Sequence, residues 1–316
     1  MAQRILYNLL QVIFVIGFAP LVEGVTSRLK ENLQSKRGPN IFQPYRDLWK
    51  LLHKDEIVSE HSSWIFRAAP YVAFAAPVFV ALLIPVLTSY PLFFAFMGDM
   101  LGGGFILALG GFFGTLAAVD TANPYGPMGA SRTRMVGFLA EPVFIVVFLT
   151  VSFVAGSTIP YIVQQRWVTP IANFFEPSHV LLMIAFLMLI LAEDGRIPVD
   201  SPSGLFELAM IDRSKSLEYS GRGAALMKWA GAMKFLILIC IFLNVLVTPW
   251  GLAGGMRVGD VLIAVPLVLV KIFGFVLVLV YIESSLAKLR LFRITEFLGA
   301  AFVISVVAMI TRLSEI

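Results

Sequence analysis

The sequence is poor in the side chains that hold redox centres. Its 316 residues include one cysteine, Cys240, and three histidines, His53, His61 and His179. One thiol cannot ligate an iron–sulfur cluster, build a structural zinc site or close an internal disulfide, and three histidines leave little room for haem. No cofactor and no metal are therefore expected. Charge is also scarce: Asp, Glu, Lys and Arg make up 14% of the chain, where soluble proteins carry about 25%. The 24 basic and 20 acidic residues leave a net charge of +4, too small and too scattered for a nucleic-acid-binding surface. There is no repeat at a fixed period, no low-complexity tract and no segment outside the apolar runs large enough to fold alone.

Apolar sequence is what the chain has in excess. Hydrophobic residues make up 59% of it, and the mean hydropathy is +0.87. A bilayer core about 30 Å thick takes roughly 20 apolar residues per helix. Eight stretches meet that demand, near 5–25, 68–88, 99–120, 135–158, 177–193, 226–249, 259–283 and 295–312. The fold expected is an all-α integral membrane protein with eight transmembrane helices, forming a single polytopic domain over 1–316. The fifth span is short, with room for a modest tilt only. The first has one arginine before it and no small-residue cleavage site after Pro20, so it reads as retained.

Basic residues then orient the chain. The stretches after the first, third, fifth and seventh spans hold Arg28 to Arg67, Arg132 with Arg134, Arg196 to Arg222, and Lys288 to Arg293. The other side has Arg4, Arg166, Arg257 and Arg312. Both termini are expected away from the cytoplasm. The cytoplasmic face then carries the two long loops, near 26–67 and 194–225, and loops of that length usually have a binding role.

A charge at a helix centre costs about 2.5–3.5 kcal/mol on insertion scales, so ionisable residues inside spans are functional candidates. Glu23, Asp120, Glu193, Lys228 and Glu283 sit at span ends, where a plain boundary role competes with function. Glu141 lies about two turns inside its helix, and Lys234 about 9 Å deeper than Lys228. Lys271, near mid-span and about 16 Å from its outer end, is expected to meet an internal carboxylate or water. Alternating acids and lysines of this kind can form a proton-conducting row, since burial drives their pKa values toward neutrality. The glycines at 102–104 and 110–111 read as close helix packing.

Three segments resemble a known family. Gln34-Ser-Lys-Arg-Gly-Pro-Asn40 with Gln43-Pro-Tyr-Arg-Asp-Leu-Trp-Lys-Leu-Leu-His-Lys54, and Ala192-Glu-Asp-Gly-Arg-Ile-Pro-Val-Asp200 with Glu207 and Glu218-Tyr-Ser-Gly221, resemble the membrane subunit that anchors the peripheral arm of respiratory complex I. Asp120-Thr-Ala-Asn-Pro124, Gly129-Ala-Ser-Arg132, Glu141-Pro142, Lys228-Trp229, Lys234, Lys271 and the stretch from Glu283 to Arg290 are similar to the homologous subunit of formate hydrogenlyase and other membrane-bound energy-converting [NiFe] hydrogenases. The resemblance implies a subunit of the prokaryotic cytoplasmic (inner) membrane, without a catalytic centre of its own. It implies partners too: large and small peripheral subunits with an Fe–S protein, and antiporter-like membrane subunits within the bilayer. Matched residue by residue, Glu141, Glu193, Lys271 and Glu283 fall on that family's polar row; with the charges read from depth, the ion-coupling row expected here is Glu141, Glu193, Glu207, Lys228, Lys234, Lys271, Glu283 and Asp120. Arg37, Gly38 and Pro39 match the loop that shapes the floor of that family's quinone or quinone-like cavity, and the docking and cavity residues expected here are Lys36, Arg37, Gly38, Pro39, Arg46, Asp47, Lys50, Asp200, Glu218 and Tyr219.

The chain departs from the complex I pattern at Ser203 and Leu205, where related sequences have acids, and at Thr26, where they have glutamate. These departures weigh against a quinone-reducing complex I subunit, the second reading. A stand-alone secondary transporter would show two related halves with matched broken helices, and none is visible. A purely structural anchor is the remaining alternative.

Overall fold

The computed structural model describes residues 2–91, 93–95, 98–121, 123–168, 176–200, 211–255 and 257–314. Ten α-helices run through them: α1 Ala2–Leu33, α2 Gln43–Leu52, α3 Trp64–Leu83, α4 Met100–Val119, α5 Tyr125–Ala155, α6 Pro160–Val168, α7 Pro177–Glu193, α8 Gly221–Ile241, α9 Val258–Ser285 and α10 Arg293–Ser314. No strand occurs among the described residues, only an isolated bridge between Thr88 and Ala253. Seven helices are long and apolar enough to cross a bilayer, with α8 counted together with the π-helical turn that follows it, while α7 is apolar but has 17 residues. At 1.5 Å per residue α7 is about 26 Å long, just under the bilayer core.

Each apolar stretch of the sequence coincides with a helix, but several boundaries differ for local reasons. Helix α3 stops at Leu83 rather than continuing to 88, because Pro85 forces Ile84 into the extended region (φ −99°, ψ 153°). Helix α5 begins at Tyr125, so Gly129-Ala-Ser-Arg132 is helix and not loop. Helix α1 continues past its apolar run to Leu33, carrying Lys30 into the protein. Pro20 inside α1 cannot donate to the carbonyl of Ile16, and the Trp229 indole N–H takes that carbonyl instead at 2.9 Å.

Helix α8 lies at the centre of the bundle. Its most apolar window is 83% buried, against 28% for α10. The core around it joins Val15, Val22, Val80, Val147, Phe186, Met233, Phe235, Val276 and Leu298 from seven helices. Helix α8 passes into a π-helical turn, Phe242–Val247, after which the carbonyls of Thr248, Pro249 and Trp250 accept from side chains of other helices.

The bundle has two unlike ends. At one end Tyr7 of α1 meets Tyr90 edge-on at 6.4 Å, Ser89 N–H donates to Ala253 at 3.0 Å, and Arg312 pairs with Glu176. This end is charge-poor. The opposite end gathers the end of α1, α2, the turn after α7, the start of α8 and the end of α9, and it holds most of the ion pairs. Helix α2 lies across it as an amphipathic lid: Pro44 and Leu48 are buried, and Trp49 is 69% exposed. Gly24 makes that approach feasible, because a Cβ there would sit 2.1 Å from the Ile41 carbonyl oxygen.

Candidate functional site

The charged end of the bundle is built on Glu283, at the end of α9 and 1% exposed. One of its oxygens accepts from Lys30 Nζ at 2.8 Å and the other from Arg196 Nη1 at 3.0 Å. Arg196 comes from the turn after α7, where Gly195 takes the left-handed conformation (φ 58°) that closes the helix. The same guanidinium pairs with Asp194 and lies over the Phe235 ring at 3.9 Å. Burial pushes the Asp194 carboxyl up to about 6 despite Arg196 beside it. Burial also acts against the Arg196 charge, but Asp194 and Glu283 more than offset it, so the guanidinium is held above its ordinary range. Such a cluster is held by mutual pairing, and removing one partner from a buried pair costs about 3–5 kcal/mol.

A second pair stands beside it. Lys234 donates to the Glu193 carboxylate at 2.5 Å and to the Glu193 backbone carbonyl at 3.0 Å. Both line a small cavity of about 70 Å³, together with Glu141, Arg134, Asp212 and Lys215. That volume has room for a few waters. Lys215 pairs with Asp212 at 2.5 Å; burial raises the Asp212 carboxyl, but Lys215 outweighs it and the net shift is downward. A larger cavity of about 600 Å³ adjoins, lined by Glu23, Thr26, Lys30, Arg196, Lys228 and Phe235 among others. Gly195, Asp200, Asp212 and Lys215 line both. The larger one falls in the 300–1,000 Å³ range of small-molecule sites.

The residues singled out from sequence divide into those the fold brings together and those it does not. Glu141, Glu193 and Lys234 share the small cavity, and Glu283 heads the neighbouring cluster. Lys228 faces the larger cavity but pairs with Asp47 of α2 at 3.1 Å. Burial raises the Asp47 carboxyl, but Lys228, helped by the Gln43 amide, brings it below its ordinary range. Asp120 lies apart and accepts from the Ser63 N–H at 2.6 Å and its hydroxyl at 2.8 Å, tying α4 to the start of α3. Lys271 meets no carboxylate among its described contacts; it donates to the backbone carbonyls of Thr248, at 2.7 Å, and Trp250. Glu207, Ser203 and Leu205 lie outside the described residues.

The docking set divides in the same way. Lys36, Arg37, Arg46 and Lys50 are exposed. Gly38 donates its N–H to the Asn32 side chain at 3.3 Å, and a Cβ there would stand 2.7 Å from the Arg28 carbonyl oxygen. Arg37, Gly38 and Pro39 line neither cavity. Asp200 is 3% exposed and works as a clasp: it accepts from the N–H groups of Ile211 and Asp212 at 3.1 and 3.2 Å and from Lys288 at 2.8 Å. Tyr219 is buried, stacked on Phe66 at 4.2 Å, with its hydroxyl donating to the Phe66 carbonyl at 2.9 Å. Glu218 accepts from the Asn123 amide.

Sequence reasoning missed Lys30 and Arg196, because both stand in basic stretches that count toward orientation. A signal was available for Lys30. Glu23, Thr26, Ser27 and Lys30 repeat at helical spacing, and all four line the larger cavity.

Comparison with known proteins agrees with this architecture. The chain is 32% identical to formate hydrogenlyase subunit 4 of Escherichia coli over 312 residues, covering 98% of this chain and 99% of that one. It is 29% identical to hydrogenase-4 component C of the same organism, over 96% and 94% of the two chains. A subunit of the NADH-quinone oxidoreductase of Thermomicrobium roseum is 28% identical over 66% of each chain. A chain of the archaeal membrane-bound sulfane sulfur reductase, a respiratory membrane complex, superposes with a TM-score of 0.81 at 19% identity, over 98% of this chain and 99% of that one, and so has the same fold. The NADH dehydrogenase family model matches residues 6–313, and the chain belongs to that family.

Proposed function

We propose that the chain is the membrane anchor and coupling subunit of a hydrogenase-type redox complex. The observation that carries the reading is the paired charge network, Glu283–Lys30–Arg196–Asp194 beside Glu193–Lys234, set around two adjoining cavities beneath an exposed basic and aromatic surface. A change of charge in the larger cavity alters which partner each buried ion prefers. The low local dielectric makes that preference strong. Glu193 and Lys234 pass the change to Glu141, and Glu283 responds through Arg196 and Lys30.

In this reading eight helices cross a prokaryotic cytoplasmic membrane, α7 among them, with both termini on the non-cytoplasmic side. Helix α2 and the Arg37 loop receive the large and small peripheral subunits with their Fe–S protein. Antiporter-like subunits flank the bundle within the bilayer. The chain itself supplies no catalytic group.

The test is Lys234→Met in the intact complex. Ion translocation should fall by about tenfold or more as the Glu193 partner is lost, while electron transfer to a soluble acceptor stays within about twofold. Unchanged translocation refutes the coupling role.

The cavity of about 600 Å³ also favours a second reading, a complex I-type subunit that admits a quinone between α1 and α8. Inhibition of the purified complex by a quinone-site ligand, with both quinone-dependent turnover and binding of that ligand lost when Ala232→Phe fills the cavity, would support it.

A further inference from the structure

The charge-poor end contains a polar cluster that the coupling reading does not use. Asn8 and Gln11 of α1, Thr88 of the connection after α3, and Gln164 of α6 are each at most 1% exposed. Gln11 is fully engaged: its amide donates to the carbonyls of Ala81 and Ile84 at 2.6 and 2.8 Å, and its oxygen accepts from Val86 and Leu87. Its neighbours are not. Neither polar atom of Asn8 has a hydrogen-bond partner among the described residues, nor do Gln164 Oε1 and the Tyr90 hydroxyl. Thr88 Oγ1 lies against the Tyr161 phenol, whose own hydroxyl donates to the Ile84 carbonyl at 3.0 Å.

Magnitude decides what this means. A buried polar group left unsatisfied costs about 1–3 kcal/mol, and the atoms here would together consume most of a typical net stability of about 5–15 kcal/mol. Buried sites that are polar on several sides are the ones that hold water, whereas dry cavities are lined by apolar groups. Burial, with Tyr7 close by, pushes the Tyr90 phenol up to about 12, so it stays a neutral hydroxyl able to donate to and accept from water.

The cluster also reaches the isolated lysine. The Gln164 amide donates to the Pro249 carbonyl, between the two carbonyls, of Thr248 and Trp250, that hold Lys271. Lys271 has three N–H donors, and these two bonds engage two of them. The same connection pairs with the Thr88 segment through Ser89 and Ala253. Lys271 thus joins this polar cluster, not the Glu193–Lys234 cavity.

We infer that Asn8, Thr88, Tyr90, Gln164 and the Tyr161 ring beside Thr88 line a hydrated pocket, with water as its ligand, through which Lys271 communicates with solvent at the charge-poor end of the bundle. The pocket does not depend on the coupling role proposed above.

X-ray radiolysis of the wild-type complex tests the hydration directly, because hydroxyl radicals formed from bound water oxidise the side chains that touch it. Tyr161 is fully buried, as are Phe148 and Phe186 in the apolar core. Tyr161 should be oxidised at least about fivefold faster than either phenylalanine, beyond the intrinsic difference of the rings, and Thr88→Val should slow it. A Tyr161 as inert as Phe148 overturns the proposal. Access to Lys271 is read in a Lys271→Cys, Cys240→Ala variant in membrane vesicles, using a small charged methanethiosulfonate. Modification from the face opposite the Arg37 loop is expected. Modification only from the Arg37 side, or none in an assembled complex, overturns the connection. Thr248→Cys, Cys240→Ala, at the residue whose carbonyl holds Lys271, gives the same reading where the first variant does not assemble: modification only from the Arg37 side, or none, overturns the connection.

Discussion

Replacing Glu283 by glutamine keeps the shape of the side chain and removes the charge that faces both Lys30 and Arg196. The carboxylate is fully buried, and each cation is 10% exposed at its side chain, so solvent screens the interaction little. Leaving a buried charge without its partner costs about 3–5 kcal/mol. Arg196 retains Asp194, which places the expected loss near the lower bound, about 3 kcal/mol. The Lys228–Asp47 pair is the contrast: its side chains are 39% and 25% exposed, so Asp47→Asn should cost about 0–1 kcal/mol. The assay is denaturant unfolding in mixed lipid–detergent micelles, followed by tryptophan fluorescence. The denaturant slope should stay unchanged, so that only stability moves. Combining Glu283→Gln with Lys30→Met should give a coupling energy of about 1 kcal/mol or more. Additivity within about 0.5 kcal/mol would refute the claim that the two charges stabilise one another.

Asp194 has a folded-state pKa raised from 3.8 to about 6, so the native state holds its proton more tightly than the unfolded chain does. Its contribution to stability is complete below about pH 4 and is lost as pH rises toward 6. Asp194→Asn should flatten the stability profile across that window, and a slope unchanged by the substitution would count against the assignment. Gly24→Val places its Cβ at the Ile41 carbonyl. It should unseat α2 and reduce co-purification of peripheral partners while the membrane helices remain folded, as read by proteolysis of the α2 region. Tyr219→Phe keeps the stack on Phe66 and loses one hydrogen bond, for about 1 kcal/mol. Tyr219→Ala also loses the packing, for about 3–5 kcal/mol; equal effects would show that the ring contributes nothing.

The helices were legible because apolar length is a direct statement about the bilayer, and every long run in the sequence coincides with a helix. Their ends were less legible, since they depend on single residues such as Pro85, or on tertiary partners such as Trp229 taking over the Ile16 carbonyl. The site was half legible. Glu193, Lys234, Glu141 and Glu283 stood out because a charge inside an apolar run is conspicuous. Lys30 and Arg196 did not, because a basic residue in a basic stretch carries no such contrast, although both end beside Glu283. Lys271 was conspicuous for the same reason as Glu283, but depth does not specify a partner. Among its described contacts it meets the carbonyls of Thr248 and Trp250, after a π-helical turn, in place of an acid. Asp200 and Tyr219 looked like docking surface, since loop position is visible in sequence and burial is not.

Helix α1 links Asn8 at one end of the bundle to Lys30 at the other, about 33 Å away at 1.5 Å per residue. Its weak point is Pro20, where a helix ordinarily bends, and the Trp229 indole braces that point. The Ile16 carbonyl that Pro20 frees is satisfied inside the bundle, where a buried carbonyl left without a partner costs about 1–3 kcal/mol. The indole therefore ties the proline turn of α1 to α8, the most buried of the long helices.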